Sequence, residues 1–311
     1  MNNDFKVAIF SDPPVSMWIL PKVLSSGLRI ASWTSVVQAG PARPPSDPFC
    51  EALASSGIPF LQPSTIRGEE FKQSLLATNP SVLASLNFAR KLPDDLLEAV
   101  PFGGVNCHPS MLPAYRGALP YFWSICNGDA STGVTIHKTT NEFDAGDIYA
   151  ARPVTMTPSD TSGLLALRCT QAGIDLLIEV LKELALHGTM PAQPQDHSKA
   201  SRAPAPDAGV LQIDWSRSVT EIERLIRAGS PMWGAFTLFR QTMLRIWSAT
   251  IGGPNPKRVP PGSLRLRDGS IEIACSDGFL RPNVMQLDIL RFFSAEEFPA
   301  FFQLHPDERV G

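Results

Sequence analysis

The stretch 105–117, VNCHPSMLPAYRG, gathers the residue types best suited to chemistry. Asn106 and His108 stand two apart in the apolar run Gly104–His108. In a strand, that spacing puts an amide and an imidazole on the same face. Pro109, Pro113 and Gly117 then impose a rigid loop. Asp144, between Phe143 and Ala145–Gly146, lies on a second loop that follows the strand-like Val134–Lys138. An amide, an imidazole and a carboxylate converging on one edge of a sheet can carry out acyl transfer. No serine or cysteine nucleophile is required if the substrate's own amine attacks. Cys107 should face away from its neighbours and reads as an inert buried thiol. His137 reads as a structural residue on a strand, and His187, His197 and His305 show no ligand spacing. Tyr115 and Arg116 either brace the loop or contact an acceptor.

The elements that must position these residues alternate along the first half of the chain. Lys6–Phe10, Ile30–Val37, Val82–Leu86, Gly104–His108 and Val134–Lys138 read as strands. Helical patterns lie between them, near Met17–Ser26, Asp47–Ser56, Glu69–Thr78, Pro93–Val100 and Ala118–Asn127, with a long one at Thr161–Leu186. This order predicts an α/β fold with a Rossmann-like, mostly parallel open sheet. Such sheets place ligands at the C-terminal ends of their strands. Residues 188–209 carry Pro191, Pro194, Pro204 and Pro206 and read as a linker. The expected domains are therefore 1–187, catalytic, and 210–311. The second begins with an amphipathic helix at Val219–Ala228, capped by Ser218 with Glu221, and continues in short strands as a smaller β-barrel-like domain. A linker of this kind suggests that the first domain folds alone.

Composition narrows the class. The chain has 311 residues, 43% of them hydrophobic and 18% charged, with a net charge of −3. Nothing global attracts a polyanion or an anionic membrane. Five cysteines without C-x-x-C or zinc spacing suit reduced thiols and predict no metal site. The N-terminus has no secretory pattern and no apolar run is long enough to span a membrane, so a cytoplasmic enzyme is expected. Ser11-Asp12-Pro13-Pro14 follows the first strand where a dinucleotide fold would carry glycines, which argues against a nicotinamide cofactor.

Taken together, N-x-H-P-S-x-L-P-x-Y-R-G, G-V-T-x-H and D-A-G-D-I resemble the formyltransferase family that uses 10-formyltetrahydrofolate. The resemblance continues through 211–236 and 261–280, which are similar to the C-terminal domain of the family's methionyl-tRNA enzymes. It implies an N-formyltransferase in which Asn106, His108 and Asp144 are catalytic. It also implies a folate cosubstrate lying against Leu86, Asn87, Phe88, Ala89, Arg90 and Leu92, and against Thr139, Thr140, Asn141, Glu142 and Phe143. Tyr115, Arg116 and Gly117 would contact the acceptor.

The acceptor is the open question at this level. Residues 207–311 hold twelve Lys or Arg and twelve Asp or Glu. The segment Gln38–Pro48, where the family's tRNA enzymes carry a lysine-rich insertion, has Arg43 as its single cation. Gripping a nucleic-acid backbone normally takes several cations. The sequence thus favours a small amine, such as an amino sugar nucleotide or hydroxyornithine, over methionyl-tRNA. A 10-formyltetrahydrofolate hydrolase and a folate-binding module without catalysis are further alternatives. The presence of Asn106 weighs against the hydrolase, and the intact set of three residue types weighs against the module.

Overall fold

The computed structural model describes residues 4–37, 43–44, 46–289, 291–305 and 307–311. The chain divides into two compact units. The first comprises the residues up to Pro120, then 131–155 and 167–203; the second comprises 121–130, 156–166 and 204–311. No helix among the described residues is long and apolar enough to cross a membrane.

Unit 1 is built on β1 (Val7–Phe10), α1 (Val15–Ser25), β2 (Ile30–Thr34), α2 (Pro48–Ser55), β3 (Phe60–Leu61), α3 (Glu69–Leu76), β4 (Val82–Leu86), α4 (Asp94–Leu97) and β5 (Gly104–His108). After α5 (Pro120–Asn127), which from residue 121 on belongs to unit 2, come β6 (Ser131–Lys138), β7 (Ile148–Thr155) and the long α6 (Ser162–His187), which belongs to unit 1 from residue 167. Every residue of β1 and β4 is buried, as expected for strands covered on both faces. The sheet order is β3-β2-β1-β4-β5-β6-β7. Pairing is parallel from β3 to β5 and antiparallel at β5–β6 and β6–β7. The mostly parallel open sheet read from the sequence is thus present, with an antiparallel edge. One side of it packs Phe10 and Leu83 against Phe71, Leu75, Leu92 and Leu96. On β5, Cys107 points the opposite way to Asn106 and His108. A Cβ added at Gly173 of α6 would stand 2.6 Å from the Cys107 sulfur, so a glycine there lets the helix lie close to the strand. Burial pushes the Cys107 thiol well above its ordinary pKa, as an inert thiol requires.

Two sequence expectations need adjustment. Strand β7 gives little sequence signal, because none of its residues is fully buried and it contains Pro153. The segment 188–209, read as a linker, lies along unit 1 as far as Ala203. Gln193 and Ile148 exchange two main-chain hydrogen bonds of 2.8 Å, and Arg116 donates its main-chain N–H to the Ser201 carbonyl at 2.8 Å. Its prolines favour an extended backbone that can pair in this way.

The C-terminal stretch of unit 2 opens with α7 (Ala208–Leu211) and α8 (Val219–Gly229). Ser218 and Glu221 form the expected capping box at the start of α8. Six strands follow: β8 (Ala235–Phe239), β9 (Thr242–Pro254), β10 (Leu264–Arg267), β11 (Ser270–Ala274), β12 (Gly278–Leu287) and β13 (Arg291–Ser294). The antiparallel order is β10-β11-β12-β9-β8, with β13 added to β12. β11 pairs with the first half of β12 and β13 with the second, and the β12–β9 register shifts beside Pro282. Proline lacks the donor a ladder needs, so the strand changes partner there. Ile222 and Ile226 of α8 join Phe239, Ile246, Leu280 and Phe298 in the core.

Candidate active site

Four polar side chains meet on β5, β6 and the loop after β6. Asn106 and His108 share one face of β5, and His137 of β6 is the direct antiparallel partner of Asn106. The loop leaves β6 at Lys138 and returns to it, since the Lys138 N–H donates to the Asp147 carbonyl at 2.9 Å. Between these points it delivers Asp144 to His108, with Oδ1 at 3.3 Å from Nδ1. The three residues expected to be catalytic are therefore together. His137, read from the sequence as structural, stands among them with Nε2 at 3.6 Å from the same Oδ1.

The partners fix how each group is turned. The His137 Nδ1 faces the Lys138 carbonyl at 2.9 Å. A carbonyl can only accept, so Nδ1 carries the hydrogen, and in the neutral ring Nε2 is left as an acceptor. The Asn106 amide nitrogen then donates to that Nε2 at 3.1 Å, and reaches Asp144 Oδ1 at 3.4 Å. The Ser85 hydroxyl donates to Asn106 Oδ1 at 2.7 Å, which orients the amide. Ser85 is the parallel partner of Asn106 on β4. By the same logic His108 donates from Nε2 to the Tyr115 carbonyl at 2.8 Å. Its Nδ1 lone pair then faces Asp144.

Electrostatics follow from burial and these contacts. His108 is 3% exposed and Asp144 8%. Burial lowers the His108 pKa; the Asp144 charge and the Tyr115 carbonyl pull upward, but the net direction is down. A carboxylate beside an imidazole would by itself hold the ring charged. Desolvation wins instead, so the imidazole is neutral near neutral pH. For Asp144, burial alone would raise the pKa. The His137 and His108 rings, when protonated, and the Gly117 N–H outweigh it and hold the carboxyl below its ordinary range. A neutral imidazole nitrogen thus faces a carboxylate, and a proton arriving at Nδ1 would be held between the two. This is a receptor for a proton shed by an attacking amine.

Tyr115, Arg116 and Gly117 are engaged within the protein. Tyr115, at φ 60°, presents its carbonyl to His108 and donates its own N–H to Ser201 Oγ at 2.9 Å. The Arg116 guanidinium grips Gln195 Oε1. The Gly117 N–H donates to Asp144 Oδ2 at 2.9 Å. Gly117 has φ 126°, and a Cβ on it would lie 2.9 Å from the Ala203 carbonyl oxygen. The motif glycine is therefore set by backbone conformation and by close approach.

The residues expected to meet folate flank this centre. Leu86 and Leu92 are buried in unit 1, so their side chains are not available to a ligand. Phe88 packs on Phe10 at 5.4 Å, Ala89 lies beyond it, and Arg90 pairs with Asp12 at 3.0 Å. Asn87, at φ 51°, turns the chain off β4. On the other loop, the Thr139 hydroxyl is buried without a partner, Thr140 Oγ1 donates to the Glu142 carbonyl, and Asn141 and Glu142 are exposed. The Phe143 ring is 62% exposed immediately before Asp144. An orphaned hydroxyl and an uncovered ring on the loop that carries Asp144 fit a flat aromatic ligand with polar edges. Ser85, His137 and Gln195 complete the site beyond the residues expected from the sequence. For His137 the signal lies in the β5–β6 register; Gln195 gives none, because it sits among prolines.

Residues 31–181 match the formyl transferase family, and residues 209–301 match the formyl transferase C-terminal domain. The chain belongs to the formyltransferase family. It is a folate-dependent N-formyltransferase by class. The methionyl-tRNA formyltransferase of Desulforamulus reducens is 31% identical over 98% of both chains. That of Roseiflexus sp. is 35% identical, covering 85% of this chain and 81% of its own. Among solved structures, the N-formyltransferase of Helicobacter canadensis, in complex with folinic acid and dTDP-3-aminofucose, superposes with a TM-score of 0.65 at 17% identity. The match covers 93% of this chain and all of that one. HypX of Aquifex aeolicus with tetrahydrofolic acid gives 0.64 at 17% identity over 98% of this chain, which spans about half of HypX (49%). At such identities these structures support the fold alone.

Proposed function

We propose that the chain transfers the formyl group of 10-formyltetrahydrofolate to the amino group of methionyl-tRNA. The observation that carries this reading is relatedness along the whole length. The methionyl-tRNA formyltransferase of Desulforamulus reducens matches at 31% identity over 98% of both chains, C-terminal unit included. The small amine favoured by charge alone rests on a neutral C-terminal segment and one arginine in 38–48. That arginine, Arg43, is spent on Asp47 at 2.9 Å. Residues 38–42 and 45 of the segment lie outside the described residues. Charge counts speak to binding strength and salt dependence, whereas full-length similarity speaks to the whole scaffold.

When bound, 10-formyltetrahydrofolate supplies an electrophilic formyl carbon. The Asn106 N–H with the longer bond, toward Asp144, is the one free to turn to an oxygen gaining negative charge. A preorganised donor of this kind is worth roughly 3–4 kcal/mol of barrier. His108 Nδ1, backed by Asp144, holds the proton that the attacking amine sheds and can pass it to N10 of the folate as the bond from N10 to the formyl carbon breaks. Ser85, His137 and the Tyr115 carbonyl keep these groups from turning.

The test is a side-by-side assay with charged methionyl-tRNA, amino sugar nucleotides and hydroxyornithine, at low and high salt. Formylation of methionyl-tRNA that weakens steeply as salt rises is the expected result. Turnover of a small amine without formylation of the tRNA would overturn the reading.

A further inference from the structure

We propose that Gln195 is a positioning residue, fixing the Asp144 carboxylate by tying together the two loops that form the site. It comes from the proline-rich segment after α6, and its side chain is almost fully buried. Its Nε2 donates to the carbonyls of Asp144 at 2.9 Å and Gly146 at 2.7 Å. Its Oε1 accepts from Arg116 Nη2 at 2.6 Å and Nε at 3.2 Å. The guanidinium can only donate, so the amide has one possible orientation, with its NH2 toward the two carbonyls. The segment is anchored on either side of Gln195, through Gln193 to Ile148 and through Ser201 to Tyr115 and Arg116.

The consequence falls on Asp144. Its backbone sits at φ 55°, in the left-handed region that a non-glycine residue seldom occupies. Such a conformation persists where its surroundings over-determine it. Here Gln195 holds the carbonyl of Asp144, while Gly117, next to Arg116, holds its carboxylate from the other side. One amide therefore sets the backbone of the loop and, through Arg116, the stretch whose carbonyl and N–H engage His108 and Asp144. The charged and titratable groups around this carboxylate are His108, His137 and, through Gln195, Arg116. Misplacing a reacting group by about 1 Å can cost on the order of 100-fold in rate.

This inference rests on the reading of Asp144 as catalytic, so the test separates the two. Gln195→Met keeps the length and removes both hydrogen-bonding functions. Histidine-labelled protein without substrate is titrated by NMR, with the His108 and His137 signals assigned by substitution. With the carboxylate displaced, His108 loses its upward pull and titrates at lower pH than in the wild type. With methionyl-tRNA and 10-formyltetrahydrofolate, kcat falls by about 100-fold while KM for the folate stays close to wild type. An unchanged His108 titration in a well-folded variant overturns the proposal, whatever the activity. Full turnover in Asp144→Asn would instead overturn the site assignment, leaving the NMR result to decide positioning. Should Gln195→Met fail to fold, Gln195→Asn, one methylene shorter, can reach the carbonyls or Arg116 but not both, and the same titration decides.

Discussion

The main-chain carbonyl of Tyr115 accepts the Nε2–H of His108 at 2.8 Å, across a loop that Tyr115 enters at φ 60°. This contact decides which imidazole nitrogen is available for chemistry. It forces the hydrogen onto Nε2 and leaves Nδ1 facing Asp144. The proline-bounded motif loop therefore selects a tautomer as well as bracing the strand end. Because the contact is to the main chain, the Tyr115 side chain can change without losing it. Tyr115→Phe is expected to keep near wild-type turnover, checked by steady-state assay. A large loss would show that the ring itself acts in the site.

Asn106→Ala, His108→Ala and Asp144→Ala are each expected to cut formyl transfer by about 100- to 1,000-fold, the range seen when one preorganised group is removed. His137→Ala should also lower turnover, because it removes the acceptor that holds the Asn106 amide at 3.1 Å. Circular dichroism alongside the assays checks that the fold survives. Near wild-type turnover in any of the first three would remove that residue from the chemistry.

Acid should destabilise the protein in two steps. His108 has a lowered pKa, so the unfolded chain takes up its proton first. Stability is lost as pH falls from about 6.5, the ordinary histidine value, to the folded pKa. Asp144 also has a lowered pKa, so its contribution is full above about 4 and is lost as pH falls through the folded value. Each tenfold difference in proton affinity between the folded and unfolded chain is worth about 1.4 kcal/mol. Thermal melts from pH 8 to pH 3 should show both steps, and His108→Gln should abolish the upper one. A wild-type melting temperature that is flat between pH 7 and pH 5 would contradict the direction given for His108.

Much of this was legible in the residues. The two-residue spacing of Asn106 and His108 places them on one face whatever surrounds them, and Ser218 with Glu221 marks a helix start locally. What stayed hidden depends on register and on distant partners. His137 becomes part of the site because β6 runs antiparallel to β5 and sets it opposite Asn106. Gln195 matters because an extended, proline-rich stretch pairs with Ile148, and composition reads such a stretch as a linker. The balance between burial and Asp144 at His108 likewise depends on how completely the pair is covered.

Gly117→Ala tests the close approach in the motif loop. The added Cβ would press on the Ala203 carbonyl, and φ 126° is a conformation that alanine rarely adopts. Strain of this kind costs of order 1–3 kcal/mol. The Gly117 N–H also holds Asp144 Oδ2, so turnover should fall with stability. Melting temperature and rate measured together check this. A variant with both unchanged would show that the loop yields at no cost.

Truncation before Asp207 tests how far the first unit stands alone. The proline-rich segment, taken as a linker, would let a chain of residues 1–206 fold by itself. The structure assigns residues 121–130 and 156–166 to unit 2, so that truncated chain would keep these pieces without most of their unit. Ser162 Oγ would lose the Ala228 carbonyl, which it meets at 2.5 Å, and the Asp160 carbonyl would lose Arg227 at 2.8 Å. Phe122, fully buried, would lose the edge of Trp233 at 5.9 Å. Uncovering a buried aromatic side chain costs about 1.5–3 kcal/mol, and each hydrogen bond exchanged for water roughly a further 0.5–1.5 kcal/mol. These losses are a sizeable share of the stability of a typical domain, about 5–15 kcal/mol. The 1–206 chain is therefore expected to be poorly soluble or to melt well below the full chain, as read by expression yield and thermal denaturation. A soluble 1–206 chain with the full chain's melting temperature would show that these helical segments contribute little to unit 2.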